Sequence, residues 1–444
     1  MSDIVSYKYS LPSVFSKKQH ASNLVLANYS EIQKKTVPCF FWGNIENAFE
    51  VARCLITISN TVQSSFNLSP FQMALLKDPI VTAGNNKIRF EGFSHCAGVY
   101  VRADILEKGH HGEFLENGTT NVDFNQAMIS ALGTIARNDT MMLSVGENDV
   151  RISTQKHNVI ERKVPLPKKW IKGLTTVQHY MSESEIIATL NKIQALQLFK
   201  TIPKGKVKND YYLIKRGAKF MFSPMPNNQG VVIGGIHRLH LLTNLLPLVD
   251  VLKIFSHNHL QSVTFQLYIK DIVFTFSLSR DTWRGFSGEG VLLEELMEDL
   301  PNDLIQRMDN YSFANQEFNK TLTAIEENIS FSKIDNLTAK LSALGLLGFD
   351  LDQNHFFYRR LPFELKRIVN LNPRLKGVEK LLEQNKVEII KNKDNYIEAR
   401  VEGSGVKHLV ILDKTERCTC VWFSQNQGER GPCKHILAVK KKTS

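Results

Sequence analysis

The sequence contains little cysteine and no long apolar run. Only 6 of its 444 residues are cysteine, whereas small secreted proteins stabilised by disulfides are much richer in this residue. A membrane-spanning helix needs about 18 or more consecutive apolar residues, and no such run is present. The first residues, MSDIVSYKYSLPSVF, also lack the apolar segment of a signal peptide. These absences predict a cytoplasmic protein with free thiols and no membrane partner.

The sequence also lacks the short motifs of the common enzyme classes. It has no phosphate-binding loop that ends in Gly-Lys-Ser/Thr and no dinucleotide-binding glycine pattern. The nucleophile elbow, the zinc-protease motif and the protein-kinase signatures are missing as well. We therefore predict that the protein is not an enzyme.

Positive charge exceeds negative charge. Lys and Arg number 55 and Asp and Glu 44, which gives a net charge of +11. Basic residues concentrate at 161–173, at 200–220 and in the final residues, and an acidic stretch covers 288–310. A positive net charge favours attraction to anions but does not specify a fold. Charged runs are most often solvated surfaces, and contact with nucleic acid is the alternative interpretation.

The N-terminal part of the chain mixes helical and strand patterns. Apolar residues recur every third or fourth position in 46–66, which predicts a helix. Polar and apolar residues alternate in 87–93 and 98–105, which predicts strands. We therefore expect an α+β fold.

A helix followed by a hairpin is predicted twice, at 124–154 and at 245–278. Repetition of such a unit resembles the construction of ring-clamp-like folds, and an ordinary α+β domain is the alternative. We predict an N-terminal α+β domain at 1–173 and a second α+β region at 174–310 that could pack with it.

A compact, mostly helical segment follows. One helix at 318–328 and another that begins near Ser332 precede a hairpin at 348–363. This order predicts a winged-helix-like module at 311–385. Two arginines of the returning strand could contact a phosphate backbone, or could be solvent-facing residues of a structural module: Arg359 and Arg360.

Three of the cysteines lie close together in the stretch CTCVWFSQNQGERGPCKH. With one histidine they supply the four ligands that structural zinc needs: Cys418, Cys420, Cys433 and His435. Residues two apart on a strand share a face, so the first two ligands are predicted on a bent strand. Residues two apart on a helix diverge by about 200°, so the other two should straddle a helix entrance after Pro432. The sequence predicts a β-meander and zinc finger at 386–444, with a finger core at 417–440 and one structural Zn²⁺.

The pattern Cys-x-Cys, twelve residues, Cys-x-His resembles the SWIM-type zinc finger, a DNA-binding or protein-interaction module. Segments 89–105, 118–125 and 344–363 also resemble parts of bacterial SWIM zinc-finger proteins, which are often encoded beside a MoxR-type AAA+ ATPase and a von Willebrand A-domain protein. The resemblance implies that the four residues bind zinc and that one of these two proteins is a partner.

We therefore expect a zinc-binding interaction protein whose finger binds a protein partner or nucleic acid. The alternative is a sequence-tolerant DNA-binding protein that uses the winged helix and the finger together. In either case four basic side chains are the candidate contact residues: Arg359, Arg360, Arg430 and Lys434.

Two further sets of residues are weighed. The histidines of GGIHRLH, His237 and His240, could share a helix face, but no third metal ligand is evident. Cys54 and Cys96 are predicted to be buried and to act as small apolar residues.

Overall fold

The structure is a computed structural model that describes residues 14–18, 21–25, 39–64, 79–164, 168–287, 317–359 and 373–443, except positions 218, 228, 258, 260, 283, 327, 344, 394, 404, 429 and 430. Helices and antiparallel sheets both occur along these residues, so the predicted mixed α+β architecture is confirmed. No helix in this part of the chain is long and apolar enough to span a bilayer.

The strands are β1 (Val14–Lys18), β2 (Ala21–Val25), β3 (Phe41–Ile45), β4 (Ile80–Gly84), β5 (Lys87–Phe93), β6 (Val99–Ile105), β7 (His110–Phe114), β8 (Gly118–Asn121), β9 (Met141–Val145), β10 (Asp149–Thr154), β11 (Asn158–Arg162), β12 (Ser184–Asn191), β13 (Tyr211–Arg216), β14 (Lys219–Ser223), β15 (Val231–Ile233), β16 (Val251–His257), β17 (Ser262–Ile269), β18 (Ile272–Ser279), β19 (Glu317–Phe318), β20 (Leu347–Asp350), β21 (His355–Tyr358), β22 (Val387–Lys393), β23 (Tyr396–Gly403), β24 (Val406–Leu412) and β25 (Glu416–Cys418).

The α-helices are α1 (Ala48–Gln63), α2 (Gln126–Gly133), α3 (Lys168–Ser182), α4 (Lys192–Phe199), α5 (Lys320–Glu326), α6 (Phe331–Ala343), α7 (Pro373–Glu383), α8 (Val421–Asn426) and α9 (Lys434–Thr443). Short 3₁₀ helices cover Glu107–Gly109, Ile236–Leu242, Leu246–Leu248 and Gly285–Ser287.

An eight-stranded antiparallel sheet forms the centre of the fold, in the order β12-β16-β17-β18-β6-β5-β4-β8. Every residue of β18 is buried, which shows that other parts of the structure cover both faces of the sheet at its middle. Polar side chains there are paired: Thr264 and Ser277 share a hydrogen bond of 2.7 Å, and Gln266 donates to Thr275 at 3.2 Å. This pairing offsets the cost of burying polar groups inside the sheet.

The predicted helix-and-hairpin unit at 124–154 is present as α2, β9 and β10. The second unit, at 245–278, is only partly as predicted. Its expected helix is reduced to the 3₁₀ turn at Leu246–Leu248, and the chain continues as β16. Leu252 and Ile254 of β16 are buried with period two between β12 and β17, so pairing with these two strands overrides the local helical pattern.

Helix α1 confirms the prediction for 46–66. Its buried apolar residues recur every three or four positions, as Val51, Leu55, Ile58 and Val62. This spacing gives the helix one apolar face, which packs against β5 and β6 of the central sheet.

The buried apolar residues form two clusters. The first extends from Phe40 to Tyr358 without a break at the predicted boundaries after 173 and 310. The second extends from Leu375 to Val439 and contains the zinc ligands Cys418, Cys420 and Cys433. Helix α7 was expected with the helical module at 311–385, but it packs in this second core against α9. The division into four domains stays a prediction.

The segment 317–358 contains the expected helices α5 and α6, followed by the hairpin β20–β21. The strands β19, β21 and β20 form a three-stranded sheet in that order. Apolar residues of this segment, among them Leu337 and Phe349, belong to the first core. The assignment as a winged helix stays a prediction.

Candidate metal centre

Four ligand atoms converge near the C-terminus. One sulfur or nitrogen atom from each of Cys418, Cys420, Cys433 and His435 lies within 4.8 Å of all the others. The four residues are between 1% and 7% exposed. Cys418 Sγ lies 3.8 Å from His435 Nδ1, close to the separation of about 3.5–3.8 Å that a tetrahedral zinc imposes on neighbouring ligand atoms. The predicted ligand set is therefore brought together by the fold.

Each ligand sits at the end of a regular element. Cys418 is the last residue of β25, where it pairs opposite Val410 of β24. Cys433 immediately precedes α9 and His435 lies in the first turn of that helix, so the prediction of a helix entrance is confirmed. Local strand and helix ends thus place ligands without long connecting loops.

The position of Cys420 differs from the prediction. It lies two residues beyond the strand as the N-cap of α8, although a position on the strand beside Cys418 was expected. The physical reason is a hydrogen bond from the backbone N–H of Phe423 to Cys420 Sγ at 3.4 Å. This bond starts the helix and also stabilises negative charge on the sulfur.

His435 is held by two contacts that sequence reasoning missed. Its ring stacks against His408 with centroids 4.5 Å apart. Its Nε2 atom faces Gly403 of β23, where an added Cβ would lie only 2.5 Å from Nε2. Gly403 therefore leaves the space that directs Nδ1 of His435 toward the thiols. A glycine inside a strand is the sequence signal that marks such a close approach.

The thiols interact strongly with one another. The hydrogen bond from Cys418, together with His435 and backbone N–H groups, lowers the pKa of Cys433 to about 4. The same contact with Cys433 raises the pKa of Cys418, and burial raises the pKa of Cys420. Three thiolates so close together repel one another, and a divalent cation would remove that repulsion.

Nearby basic side chains are engaged with acids rather than with the thiols. Arg417 pairs with Asp413, and Lys440 of α9 pairs with Glu416. Lys434 is half-buried, and its side chain lies beside Gly377 of α7. Arg430 lies outside the described residues.

The arrangement defines a closed zinc finger with three cysteines and one histidine. All four coordination positions of a tetrahedral zinc are supplied by protein atoms, so none remains for water or substrate. The donor set fits one structural Zn²⁺.

Comparison with known families identifies this finger. Residues 408–443 match the SWIM zinc finger, so the C-terminal segment is a SWIM zinc finger, as the spacing of its ligands suggested. No curated protein sequence matches the chain significantly.

Solved structures similar to the chain include sliding clamps. The PCNA2–PCNA3 complex of Sulfolobus tokodaii covers 54% of this chain and 99% of its own, at 9% identity and a TM-score of 0.39. The proliferating cellular nuclear antigen of Entamoeba histolytica covers 54% and 98%, at 14% identity and a TM-score of 0.35. Likenesses at this level do not assign the fold, and the ring-clamp interpretation stays a prediction.

The expectation that Arg359 faces solvent or a phosphate is wrong. Arg359 is 1% exposed and forms an ion pair with Glu91 of β5, which is also 1% exposed. Tyr100 donates a hydrogen bond of 2.6 Å to the same carboxylate. The hairpin packs on the central sheet, and burial of this arginine leaves it no surface for a ligand. Arg360 lies outside the described residues.

Further buried charges join the hairpin to the central sheet. Asp350 of β20 accepts from Lys87 at 2.9 Å and lies 3.5 Å from Arg102. Arg102 also donates to the carbonyl oxygen of Phe349 at 2.7 Å. Burial alone would raise the pKa of Asp350. The positive charges of Arg102, Arg89 and Lys87 together have a larger effect in the opposite direction, so the net pKa is lowered and the carboxyl stays ionised at neutral pH. Only tertiary packing reveals this network, because its members lie far apart in the sequence.

His237 and His240 occupy the 3₁₀ helix Ile236–Leu242. The ring of His237 accepts a hydrogen bond from the Val207 N–H at 3.4 Å, and His240 Nε2 contacts the Pro203 carbonyl oxygen at 3.1 Å. Burial and the positive charges of Arg238 and Lys206 lower the pKa of His237 to about 4. Among the described residues, no third ligand joins them in a metal-binding group.

The two remaining predicted cysteines differ from each other. Cys54 is fully buried, and burial raises its pKa, as expected of an apolar residue. Cys96 is only partly buried, beside a cavity of about 300 Å³, and Arg238 donates to its sulfur at 3.2 Å. Burial alone would raise the pKa of Cys96, but Arg238 and the hydrogen bond with Ser94 outweigh it and lower the pKa. The prediction for Cys96 is therefore wrong.

Proposed function

We propose that the protein is a non-enzymatic, cytoplasmic interaction protein whose SWIM zinc finger binds a protein partner. The zinc serves as a structural support, since its ligand set is closed. Support for a protein partner comes from the side chains that the finger presents.

Helix α8 carries this proposal. None of its six residues is fully buried, although its sequence begins with three apolar residues. Trp422 and Phe423 are partly buried against the second core. Val421 is 69% exposed, and the guanidinium of Arg374 stacks over Trp422 at 4.7 Å. Tryptophan and arginine dominate the binding energy of many protein interfaces. A phosphate-binding helix needs basic side chains, and helix α8 has none.

The partner class follows from the sequence resemblance. Bacterial SWIM proteins encoded beside a MoxR-type AAA+ ATPase and a von Willebrand A-domain protein suggest an adaptor in an ATPase-linked system. In that role, the finger would hold one of these two proteins while the larger N-terminal body remains free.

The second candidate is DNA binding through the winged-helix-like module and the finger. The net charge of +11 favours it, and half-buried Lys434 remains a candidate contact residue. Arg359 no longer supports it because of its burial with Glu91. We therefore rank this function second.

A pull-down that compares wild-type protein with the Val421→Ala/Trp422→Ala variant tests the proposal. We expect the variant to lose a specific protein partner while zinc content stays at one per chain. Replacement of two exposed isoleucines elsewhere, Ile186→Ala/Ile193→Ala, controls for general loss of apolar surface, since these residues are 52% and 66% exposed. Retention of the partner by the α8 variant, or loss of all binding after nuclease treatment, would contradict a protein-binding finger.

A further inference from the structure

A dense group of cations lies far from the finger in the sequence, between residues 200 and 219. Seven basic side chains of this segment are exposed, and we call them the basic surface: Lys200, Lys204, Lys206, Lys208, Lys215, Arg216 and Lys219. The segment contains a single acid, Asp210, which pairs with Arg280 at 3.5 Å. None of the seven forms an ion pair with a described residue. Their charge is therefore not neutralised within the described structure.

The tip of the β13–β14 hairpin holds like charges side by side. Arg216 and Lys219 occupy directly opposed positions of the two strands, and the turn between them passes through Gly217 at a φ of 60°. Like charges in opposed positions of a hairpin destabilise it. An anion bound between these two side chains would replace that repulsion with attraction.

The loop that carries the other lysines is fixed beside this hairpin. The backbone N–H of Phe222 in β14 donates to Thr201 at 2.9 Å, so Lys200 lies beside Phe222. Lys219 is three residues from Phe222 along the same strand, a distance of roughly 10 Å. The contacts of Pro203 and Val207 with the 3₁₀ helix Ile236–Leu242 hold the rest of the loop. The cations thus project from an anchored backbone, so less conformational entropy is lost when they bind a ligand.

We propose that the basic surface is a second binding surface, which holds the phosphate backbone of duplex nucleic acid independently of its sequence. Seven exposed cations, with the one acid of the segment, Asp210, engaged by Arg280, suit the dense negative charge of a duplex backbone. Single-stranded binding sites add exposed aromatic rings on which bases stack, but Tyr211, Tyr212 and Phe220 are only half-exposed here. Membrane surfaces favour several apolar side chains beside the cations, whereas Met225 is the one exposed large apolar side chain among the described residues of 200–225.

This inference goes beyond the proposed function of the finger. The elements that carry the basic surface pack through their apolar residues into the first core, whereas the finger packs into the second. Anisotropy titration of a short labelled DNA duplex of arbitrary sequence with the full-length zinc-loaded protein tests it. Seven phosphate contacts predict a loss of roughly 10³–10⁴-fold in affinity between about 50 and 200 mM salt.

Two variants locate the contacts. Lys215→Glu/Arg216→Glu/Lys219→Glu should reduce that salt-dependent loss to roughly 10²-fold and lower the slope of log K against log salt by about 2.7, because three contacts are removed. The neutral variant Lys204→Gln/Lys206→Gln/Lys208→Gln should lower the slope by a similar amount, and it keeps the test valid if the hairpin variant does not fold.

The matched control changes the same charge elsewhere on the first core. Lys108→Glu/Lys156→Glu/Lys163→Glu replaces three exposed lysines outside the basic surface and should leave the slope at the wild-type value. Equal effects of the control and basic-surface variants would overturn the inference. So would tighter binding to phosphatidylserine vesicles than to the duplex. Trp422→Ala should leave duplex binding unchanged, so that failure here and failure of the finger proposal are separable.

Discussion

Replacing Gly403 by alanine should weaken zinc binding although Gly403 is not itself a ligand. The new Cβ would lie 2.5 Å from Nε2 of His435, whereas ordinary carbon–nitrogen contacts begin at about 3.4 Å. The ring must therefore retreat by about 0.9 Å, or β23 must move by the same distance. Stacking against His408 limits the first of these movements.

The size of the effect follows from the tolerance of the metal site. Zinc–ligand distances in functional sites vary by about 0.2 Å, so a displacement of about 0.9 Å weakens or breaks the bond to His435. Replacement of a residue that only orients a ligand typically lowers metal affinity by about 10–100-fold, and we expect a loss of zinc affinity in that range for Gly403→Ala. Competition with a chromophoric chelator measures the affinity, and the visible d–d absorption of the cobalt-substituted protein shows whether the histidine still coordinates.

A glycine without neighbours provides the control. An added Cβ at Gly133, at the end of α2, would meet nothing within 4 Å, so Gly133→Ala should leave zinc affinity unchanged. Wild-type zinc affinity in Gly403→Ala, together with an unchanged cobalt spectrum, would refute the role assigned to Gly403.

The remaining predictions concern the two cores and Cys96. Chelation of zinc should unfold the second core, 373–443, and leave the first protected, because the metal supplies folding energy only where it binds; hydrogen exchange that rose equally in both cores would contradict this. Glu91→Ala should lower the free energy of unfolding by about 3–5 kcal/mol in a denaturant titration, since it leaves Arg359 buried without its partner. Glu402→Ala, which breaks an exposed pair with Lys386, should cost less than about 1 kcal/mol, and equal losses would show that burial of Arg359 is unimportant. Iodoacetamide should modify Cys96 before Cys54 at about pH 7, and Arg238→Met should slow the modification of Cys96 by raising the pKa of its thiol. The difference between the two proteins should vanish above about pH 10, where the thiolate forms in both. An unchanged modification rate in Arg238→Met, measured by mass spectrometry, would refute the effect of Arg238.

The finger shows how much local spacing can specify. Its ligands lie within eighteen residues, from Cys418 to His435, so their number, type and separation already define a zinc site. The error at Cys420 was also local, since the hydrogen bond from the Phe423 N–H to Cys420 Sγ caps α8 where a strand was expected.

Other features depend on partners distant in sequence. The segment of β16 has enough apolar residues for a helix, and its pairing with β12, which lies before α4 and β13–β15 in the chain, makes it a central strand of the sheet. Similarly, Cys96 acquires its lowered pKa from Arg238, which is 142 residues away. Neither property has a signal in the neighbouring sequence.

The sequence by itself determined the zinc ligands, the helix α1 and the mixed α+β class, because each depends on the spacing of residues within one short segment. Tertiary structure alone decided that Arg359 is buried rather than free to bind a phosphate, and that Gly403 of β23 shapes the metal site. Both depend on which surfaces the fold brings together: Arg359 finds its carboxylate 268 residues away in Glu91, and Gly403 meets His435 across the core of the finger. Such pairings arise from the packing of whole elements, which residue spacing within one segment does not encode.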